Sequence, residues 1–499
     1  MDLSYRTLCD SPAPTTAVLC NLPFSKAPCI ATASETKLQI YTFRDQKLIL
    51  IWEKNYWAKI IAIFAHHEKK YDCLILVCDV SKVVVLQPVG DVDLQETEFH
   101  QFDPEEMEST CIRHPTKAVM DPNGTCIALL IGISTIYFLT LSQPEGFDLS
   151  KRPIVKTGQH SKWETINGAV LFNLVKDYKP PIFRVRDIKF LEGYKCPTLA
   201  ILHEPIPTWS VRLPLQKSTI AISITSPLLI ERKTSLVHDQ SISWTSRPLP
   251  HNAITVIPVW IPHGGFLVLC KNSIIYMTHT SGLAYGLNAL ARIDDECPFE
   301  LCDQSVEPHE IFSPAYAIMD ATHVLITVDE HHPAILTLHT NGIDVTGLSL
   351  FVNNEIEFHP SLFLKYFDNL YFGGSVIEDS ILFELSFETE EQQSSFIDTV
   401  QLSESQLQLY EMLYDSPPIN ASRQLTTSLT MNIISKIYQL GTVTCATPFI
   451  NIYEMALIQG QEDAISMALG CGLKNSGCLQ FFRLSLTPKI RHELSISDV

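Results

Sequence analysis

The sequence predicts an all-β protein: a seven-bladed β-propeller, the first propeller of a multi-propeller scaffold, followed by the incomplete start of a second. Apolar and polar residues alternate with a period of two in short β-branched runs, and Gly, Asn, Asp and Ser separate these runs. Amphipathic helical patterns are few. Because a period of two places successive side chains on opposite faces of a strand, these features indicate a β meander.

A recurring hairpin unit indicates a propeller among the all-β folds. In each unit one apolar strand, a short polar turn and a second apolar strand follow each other directly. Four examples are residues 72–78 with 83–86, 126–130 with 135–139, 265–270 with 274–277, and 369–372 with 380–385. Each is interpreted as a hairpin from one blade, and a blade needs roughly 40 to 50 residues.

The pattern changes after this region, which predicts three domains. Residues 1–390 are predicted to form the first propeller. Residues 391–432 are interpreted as an acidic, polar linker, and residues 433–499 as the incomplete start of a second propeller. Because an unfinished propeller exposes strand edges, we expect a chain ending near Glu390 to aggregate less than the whole chain.

Composition favours a folded protein outside the secretory pathway. Hydrophobic residues make up 46% of the 499 residues and charged residues 18%. The longest apolar run, residues 127–141, is interrupted by Gly132 and by polar residues, which argues against a membrane span. The N-terminus lacks the pattern of a signal peptide. The 14 cysteines are therefore interpreted as mostly buried thiols.

The net charge of −19 argues against direct RNA binding by the chain as a whole, because it repels phosphate. The densest basic patch combines Arg184 and Arg186 with Lys189. It is short and lies within an alternating pattern, so we interpret its exposed face as solvated charge.

Residue clusters that could carry chemistry are weak. The pairs His66-His67 and His331-His332 do not favour a metal site, because adjacent side chains on a strand point to opposite faces. The acidic run 294–296 is interpreted as solvated surface. The sequence contains no Gly-x-Ser-x-Gly elbow and no phosphate-binding loop. We therefore predict no catalytic, cofactor-binding or metal-binding residue, and expect a binding platform.

Two segments resemble motifs of one family of large propeller scaffolds. Residues 118–128 are similar to its "DP-x-GR-x-A" hairpin, and residues 186–202 to its "D-x-x-FLxGY-x-x-PTLxxL" stretch. The family contains the large subunit of the cleavage and polyadenylation specificity factor, the splicing factor 3b propeller subunit and the DNA-damage-binding propeller adaptor. The resemblance covers most of the chain.

Two further segments resemble the polyadenylation branch of that family. Residues 203–212 are similar to its "EP-x-x-TW-x-x-R" motif, and residues 283–290 to its "YG-x-x-LN-x-L" motif, with a shorter spacing here between the glycine and the asparagine. The matching residues are structural or interface candidates, and packing is the favoured role for the aromatic and leucine side chains. These candidates are Trp209, Arg212, Tyr285, Gly286, Leu287 and Asn288.

The resemblance implies a non-enzymatic nuclear scaffold in a hetero-oligomeric complex without cofactors. It would hold a Trp-Asp-repeat subunit and a CCCH zinc-finger subunit, which read the AAUAAA signal, so that RNA is contacted mainly through partners. The alternatives within the family are a splicing scaffold and a ubiquitin-ligase adaptor. An alternative from another class is a propeller hydrolase.

Overall fold

The computed structural model is built almost entirely of β-strands. It describes residues 13–56, 58–68, 70–79, 82–90, 93–101, 116–132, 135–141, 168–194, 196–206, 220–226, 240–293, 299–394, 421–437, 443–449, 465–471, 478–484 and 493–496. One short helix, α1 (Leu290–Ile293), occurs among these residues. In the described part of the chain, no helix has the length and apolar character needed to span a bilayer.

Seven antiparallel sheets follow each other along the chain as the blades of a propeller, which confirms the predicted fold class. The first four blades are built from consecutive strands. Blade 1 contains β1 (Thr16–Cys20), β2 (Cys29–Ser34), β3 (Lys37–Arg44) and β4 (Lys47–Asn55); blade 2 contains β5 (Ile60–Glu68), β6 (Tyr71–Cys78), β7 (Lys82–Val89) and β8 (Asp93–Gln101). Blade 3 contains β9 (Lys117–Met120), β10 (Cys126–Ile131), β11 (Thr135–Thr140) and β12 (Gly168–Asn173). Blade 4 contains β14 (Phe183–Leu191), β15 (Thr198–Glu204), β16 (Ala221–Thr225) and β18 (Trp244–Thr245), and beside it β13 (Tyr178–Lys179) pairs in parallel with β17 (Gln240–Ser241).

The last three blades repeat this plan with local additions. Blade 5 contains β19 (Ala253–Pro258), β20 (Phe266–Cys270), β21 (Ser273–Met277), β22 (Gly282–Gly286) and a fifth, parallel strand β23 (Leu301–Gln304). Blade 6 contains β24 (Tyr316–Ile318), β25 (His323–Val328), β26 (His332–Asn341) and β27 (Asp344–Val352). Blade 7 contains β28 (Leu362–Phe367), β29 (Leu370–Gly374), β30 (Ser380–Ser394) and β31 (Ala421–Ile437).

The core consists of seven apolar layers, one between each pair of neighbouring blades. Between blades 1 and 2, for example, Leu38 and Ile40 pack with Leu74 and Leu76, and none of these four side chains is exposed. Each such buried side chain contributes about 1.5 to 3 kcal/mol. The alternation in the sequence therefore reflects strands whose two faces pack against two different neighbours.

Blades 1 and 7 close the ring by side-chain packing. The innermost strands β1 and β28 lie side by side, and all four strands of blade 7 come from the last part of the propeller. Ile30 of blade 1 packs with Tyr366 and Phe372 of blade 7. The Tyr366 hydroxyl donates a hydrogen bond to the Pro28 carbonyl (2.8 Å). We call the whole contact between blades 1 and 7, which includes Ile30, Tyr366 and Phe372, the closure seam.

All four predicted hairpins are confirmed, and each is formed by the second and third strands of a blade. The linker interpretation is wrong for residues 391–394 and 421–432, because these residues pair within β30 and β31 of blade 7. The segment is rich in polar residues, and for that reason its sequence resembled a linker. The division of the chain into three domains otherwise stays a prediction.

A further four-stranded antiparallel sheet follows the propeller in the sequence. Its strands are β32 (Val443–Phe449), β33 (Ile465–Cys471), β34 (Cys478–Leu484) and β35 (Glu493–Ile496). Its role as the start of a second propeller stays a prediction.

Candidate binding surface

One end of the propeller, which we call the loop face, carries Glu204 of the motif at 203–212 and Asn288 of the motif at 283–290. In an antiparallel meander, the loops that join the second strand of a blade to the third emerge at the same end as the loops that join one blade to the next. Glu204, Asn272 and Asn288 all lie at this end. Trp209 and Arg212 belong to the same connection of blade 4, but they lie outside the described residues.

Tyr285 and Leu287 are core residues. Tyr285 is 4% exposed and Leu287 is fully buried, and both belong to the apolar layer between blades 5 and 6. Burial raises the pKa of Tyr285 to about 12, so its hydroxyl stays neutral at physiological pH. A partner could reach either side chain only if the blade opened.

Gly286 and Asn288 shape the loop that follows blade 5. A Cβ atom at Gly286 would lie 3.2 Å from Gln304 Cγ, so a larger residue would press on β23. Asn288 Nδ2 donates hydrogen bonds to Asn272 Oδ1 (3.2 Å) and to the His309 carbonyl (2.9 Å). These bonds hold the loop against blade 5, which favours a structural role for the motif. Its value as a marker of the polyadenylation branch stays a prediction.

His309 extends this network to blade 6. His309 is buried, and its Nδ1 lies 2.7 Å from Asp329 Oδ2. Asp329 Oδ1 also accepts a hydrogen bond from the backbone N–H of Glu310 (2.8 Å). The loop between blades 5 and 6 is therefore tied to both of the blades that it joins.

A basic cluster lies at the loop-face end of the innermost strands of blades 3 and 4. We define it as Lys117, Arg184 and Arg186 together with two carboxylates, Asp187 and Glu204. Lys117 Nζ lies 3.7 Å from Asp187 Oδ1 and also donates to the Arg186 carbonyl. Arg184 Nη1 lies 3.6 Å from Glu204 Oε2, and Arg186 Nη2 lies 3.8 Å from Glu204 Oε1.

The two carboxylates of the cluster are buried, whereas its three cations are partly exposed. Exposed fractions are 5% for the Glu204 side chain and 10% for Asp187, compared with 43% for Arg184, 35% for Lys117 and 27% for Arg186. Solvent therefore meets the positive groups first. The interpretation of this patch as solvated charge is wrong for Arg186, which donates hydrogen bonds to the His251 and Ala253 carbonyls, whereas Arg184 is 43% exposed and lies 3.6 Å from Glu204.

The buried carboxylates differ in how they are stabilised. Asp187 accepts hydrogen bonds from Thr255 Oγ1 (2.5 Å) and from the backbone N–H of Val256 (3.1 Å), which connects blade 4 to blade 5. Glu204 Oε2 accepts no hydrogen bond from any residue that the structure describes. Burial raises the pKa of the Glu204 carboxyl, and attraction to Arg184 and Arg186 offsets only part of that rise.

Arg184 has an unusual backbone conformation. Its φ angle is +39°, a region that residues other than glycine rarely adopt. The pairing of β14 with β15 shifts register between Phe183 and Asp187, so Arg184 lies within a bulge. Bulges redirect side chains, and such strained positions are frequent at functional sites.

His203 lies directly behind the cluster in a neutral form. Its Nδ1 donates to the Glu204 carbonyl (3.1 Å), so its Nε2 accepts from the Ser223 hydroxyl (2.8 Å). Burial lowers the pKa of His203, which agrees with this tautomer. His203 therefore supports Glu204 and adds no charge.

The sequence held a signal for this cluster that our site prediction did not use. Glu204 and Asp187 are acidic positions of the two motifs at 203–212 and 186–202, but we named only the aromatic and arginine positions of the first. No sequence motif pointed to Lys117, because it belongs to blade 3 and reaches the other residues of the cluster only through the packing of blade 3 against blade 4.

The other clusters that the sequence analysis considered do not form a site among the described residues. No group of three His, Cys, Asp or Glu residues there could hold a metal ion. The rings of His331 and His332 lie 4.0 Å apart, so the expectation of opposite faces is wrong for this pair. The reason is that His331 lies in the turn before β26. The acidic run 294–296 lies outside the described residues.

Eight cysteines whose side chains the structure describes are free thiols, and most of them are buried. Six of these eight are buried: Cys20, Cys29, Cys73, Cys78, Cys126 and Cys270. Burial raises the pKa of Cys29 and of Cys78 to about 11. These thiols are therefore protonated packing residues and poor nucleophiles.

Comparison with known proteins assigns both the fold and a group of relatives. The family described as the RSE1/DDB1/CPSF1 first beta-propeller matches residues 14–401. The Protein cft1 of Schizosaccharomyces pombe is 26% identical over 341 residues, which cover 64% of this chain and 22% of that protein. Cleavage and polyadenylation specificity factor subunit 1 of Drosophila melanogaster is 26% identical over 352 residues (69% and 23%).

A plant relative has a similar level of identity. Cleavage and polyadenylation specificity factor subunit 1 of Arabidopsis thaliana is 28% identical over 277 residues, which cover 54% of this chain and 18% of that protein. The chain thus spans less than a quarter of the length of these relatives.

Proposed function

Because the chain belongs to the family that shares the first β-propeller of RSE1, DDB1 and CPSF1, we propose that it is a scaffold protein of pre-mRNA 3′-end cleavage and polyadenylation. The observation that carries this proposal is the set of relatives. Proteins from an insect and a plant that match this propeller are named as subunit 1 of the cleavage and polyadenylation specificity factor. Within the family, the motifs around Glu204 and Asn288 resemble the polyadenylation branch.

The proposed role is to organise other subunits in the nucleus. The partners are a Trp-Asp-repeat subunit and a CCCH zinc-finger subunit, which read the AAUAAA signal, and RNA is contacted mainly through them. The net charge of −19 supports this division of labour, because a scaffold that leaves RNA contact to basic partners needs no basic surface of its own along an RNA path.

The proposed role requires no chemistry in the chain itself. Seven interlocked apolar layers make a rigid body, and such a body presents its loops in fixed positions to partners. The buried positions of Tyr285 and Leu287 favour a role in shaping that body.

Affinity purification of the tagged whole chain from nuclear extract, followed by mass spectrometry, tests the proposal. The matched control is the tag alone at the same expression level. We expect polyadenylation subunits to co-purify at moderate salt. Recovery of U2 splicing components or of a cullin would instead assign the chain to a sister branch of the family, and recovery of no complex would contradict the scaffold role.

A further inference from the structure

We propose that the three cations of the basic cluster, Lys117, Arg184 and Arg186, bind carboxylate groups of an acidic segment in a partner protein. The proposal names the chemistry of one partner contact for the scaffold role and in that sense rests on it.

The cluster has the opposite charge to the rest of the chain. The whole protein carries 36 Lys and Arg residues against 55 Asp and Glu residues. At the cluster, three cations lie around two carboxylates, and both carboxylates lie beneath the surface. Because charges further away than about 8 Å are screened at physiological salt, a small ligand at this point meets mainly the cluster itself, in which three cations outnumber two carboxylates.

Two of the three cations, Arg186 and Lys117, are held in place before any ligand arrives. Arg186 Nη1 donates to the backbone carbonyls of His251 (2.6 Å) and Ala253 (3.1 Å), which are at the entry to blade 5. Lys117 Nζ is held by the Arg186 carbonyl and by Asp187. Fixing these long side chains in advance lowers the entropy that binding would cost.

Arg184 is the cation best placed to meet a ligand. It is the most exposed of the three, and its carboxylate partner Glu204 is beyond hydrogen-bond distance at 3.6 Å. Its guanidinium therefore keeps N–H groups for a second acceptor, and the planar fork of arginine suits a carboxylate. The bulge and the φ angle of +39° at this residue direct the side chain away from the regular strand.

An acidic protein segment fits the cluster better than RNA does. Single-stranded RNA is held by cations that follow its backbone together with exposed aromatic rings that stack on its bases. Among the described residues, the groups that hydrogen-bond or ion-pair with the three cations are the carboxylates of Asp187 and Glu204 and the backbone carbonyls of Arg186, His251 and Ala253, so no aromatic side chain is among these groups. A long polyanion would also extend over a surface of the same sign, whereas a short acidic segment needs only the local cations.

Binding of a short, fluorescein-labelled Asp/Glu-rich peptide to the whole purified chain, measured by anisotropy, tests the proposal. A peptide with Asn and Gln at the same positions is the charge control, and an A/U-rich RNA of similar length is the competing ligand. We expect the acidic peptide to bind, to bind more weakly as salt rises, and to bind better than either alternative.

The variant that tests the site is Lys117→Ala/Arg184→Ala. Loss of one exposed cation and one partly exposed cation is expected to weaken acidic-peptide binding roughly tenfold. The matched control is Lys47→Ala/Lys70→Ala, which removes the same charge from two exposed positions at hairpin turns on the opposite face. Should the first variant fold poorly by circular dichroism, Arg184→Glu alone repeats the test at the most exposed position.

Equal affinity of the two double variants for the acidic peptide would contradict the proposed binding site. Absence of peptide binding to the unchanged protein would contradict it as well. A preference for RNA that is lost in the Lys117→Ala/Arg184→Ala variant would overturn the partner class. The peptide assay needs no other subunit, so its failure is separate from a failure of polyadenylation subunits to co-purify.

Discussion

Individual charged residues in this propeller act mainly by joining one blade to the next. Asp187 lies in blade 4, pairs with Lys117 of blade 3 and accepts two hydrogen bonds from blade 5. Asp187 as a whole residue is 7% exposed, so water can replace few of the hydrogen bonds that a substitution would remove. A buried acceptor of this kind links structure to function, because the same contacts fix the exposed cations of the basic cluster.

Replacement of Asp187 by alanine should destabilise the protein. The buried N–H of Val256 would lose its acceptor, which costs about 1 to 3 kcal/mol. Asp187→Asn keeps an acceptor at this position and should cost less. Urea unfolding followed by tryptophan fluorescence measures both changes. Identical midpoints for Asp187→Ala and the unchanged protein would contradict this account.

His203 should make stability depend on pH. Its folded-state pKa is lowered by burial, so as pH falls below about 6.5 the unfolded chain takes up a proton before the folded one does. The folded state therefore loses up to about 1.4 kcal/mol per pH unit from this group until the folded pKa is reached, and it keeps that stability above pH 6.5.

A His203→Gln variant checks this origin. Its amide can still hydrogen-bond to Ser223 but does not titrate, so the difference in unfolding free energy between the two proteins should shrink as pH falls from 7 to 5. The measurement is urea unfolding at several pH values in that range. A difference that stays constant with pH would assign the acid sensitivity to other groups.

At the scale of strands, sequence patterns recovered the second and third strands of four blades better than the outer strands. The four hairpins recognised from sequence are all second and third strands, such as β20 and β21, which are buried on both faces. The outermost strand of blade 7, β31, begins with a sequence rich in polar residues, so part of it was mistaken for a linker. The basic cluster escaped prediction for a related reason, since Lys117 contacts Arg186 and Asp187 only through the packing of two blades.

The closure seam offers a sharp test of strand packing. Gly374 ends β29, and a Cβ atom there would lie 2.7 Å from Pro14 Cγ and 3.0 Å from Leu362 Cγ. Because the proline ring cannot rotate away, Gly374→Ala should force blades 1 and 7 apart and cost about 1 to 3 kcal/mol.

Gly347→Ala is the matched control for this substitution. Its Cβ atom would lie 3.4 Å from His339 Cδ2, which is an ordinary contact, and Gly347 is also within a strand. We expect the urea midpoint to fall clearly for Gly374→Ala and little for Gly347→Ala. Equal shifts would mean that the seam tolerates expansion.

At the scale of the whole molecule, stability depends on completing the ring. The closure seam joins the first blade to the last. Besides packed side chains, it includes the hydrogen bond that the Leu48 backbone N–H donates to Ser435 Oγ (3.0 Å). Ser435 belongs to β31, the outermost strand of blade 7. The end of the propeller in the chain therefore lies beyond the boundary predicted at residue 390.

A chain that ends at residue 390 should be less stable than one that ends at residue 442. The shorter chain lacks β31, which pairs with β30 and places Leu429 in the apolar layer between blades 6 and 7. It also loses the hydrogen bond from Asn353 Nδ2 to the Leu429 carbonyl (2.7 Å). Its last strand would become an unpaired edge, and such edges promote association between chains.

Size-exclusion chromatography and urea unfolding of the two truncated chains, with the whole chain as reference, decide between the boundaries. We expect the chain ending at 442 to elute as a monomer and to unfold at a higher urea concentration, and the chain ending at 390 to aggregate. This expectation replaces the one drawn from sequence, in which Glu390 marked the end of the better-behaved unit. Equal monomer recovery and equal midpoints would mean that β31 adds nothing to the ring, and that blade 7 is held by its first three strands alone.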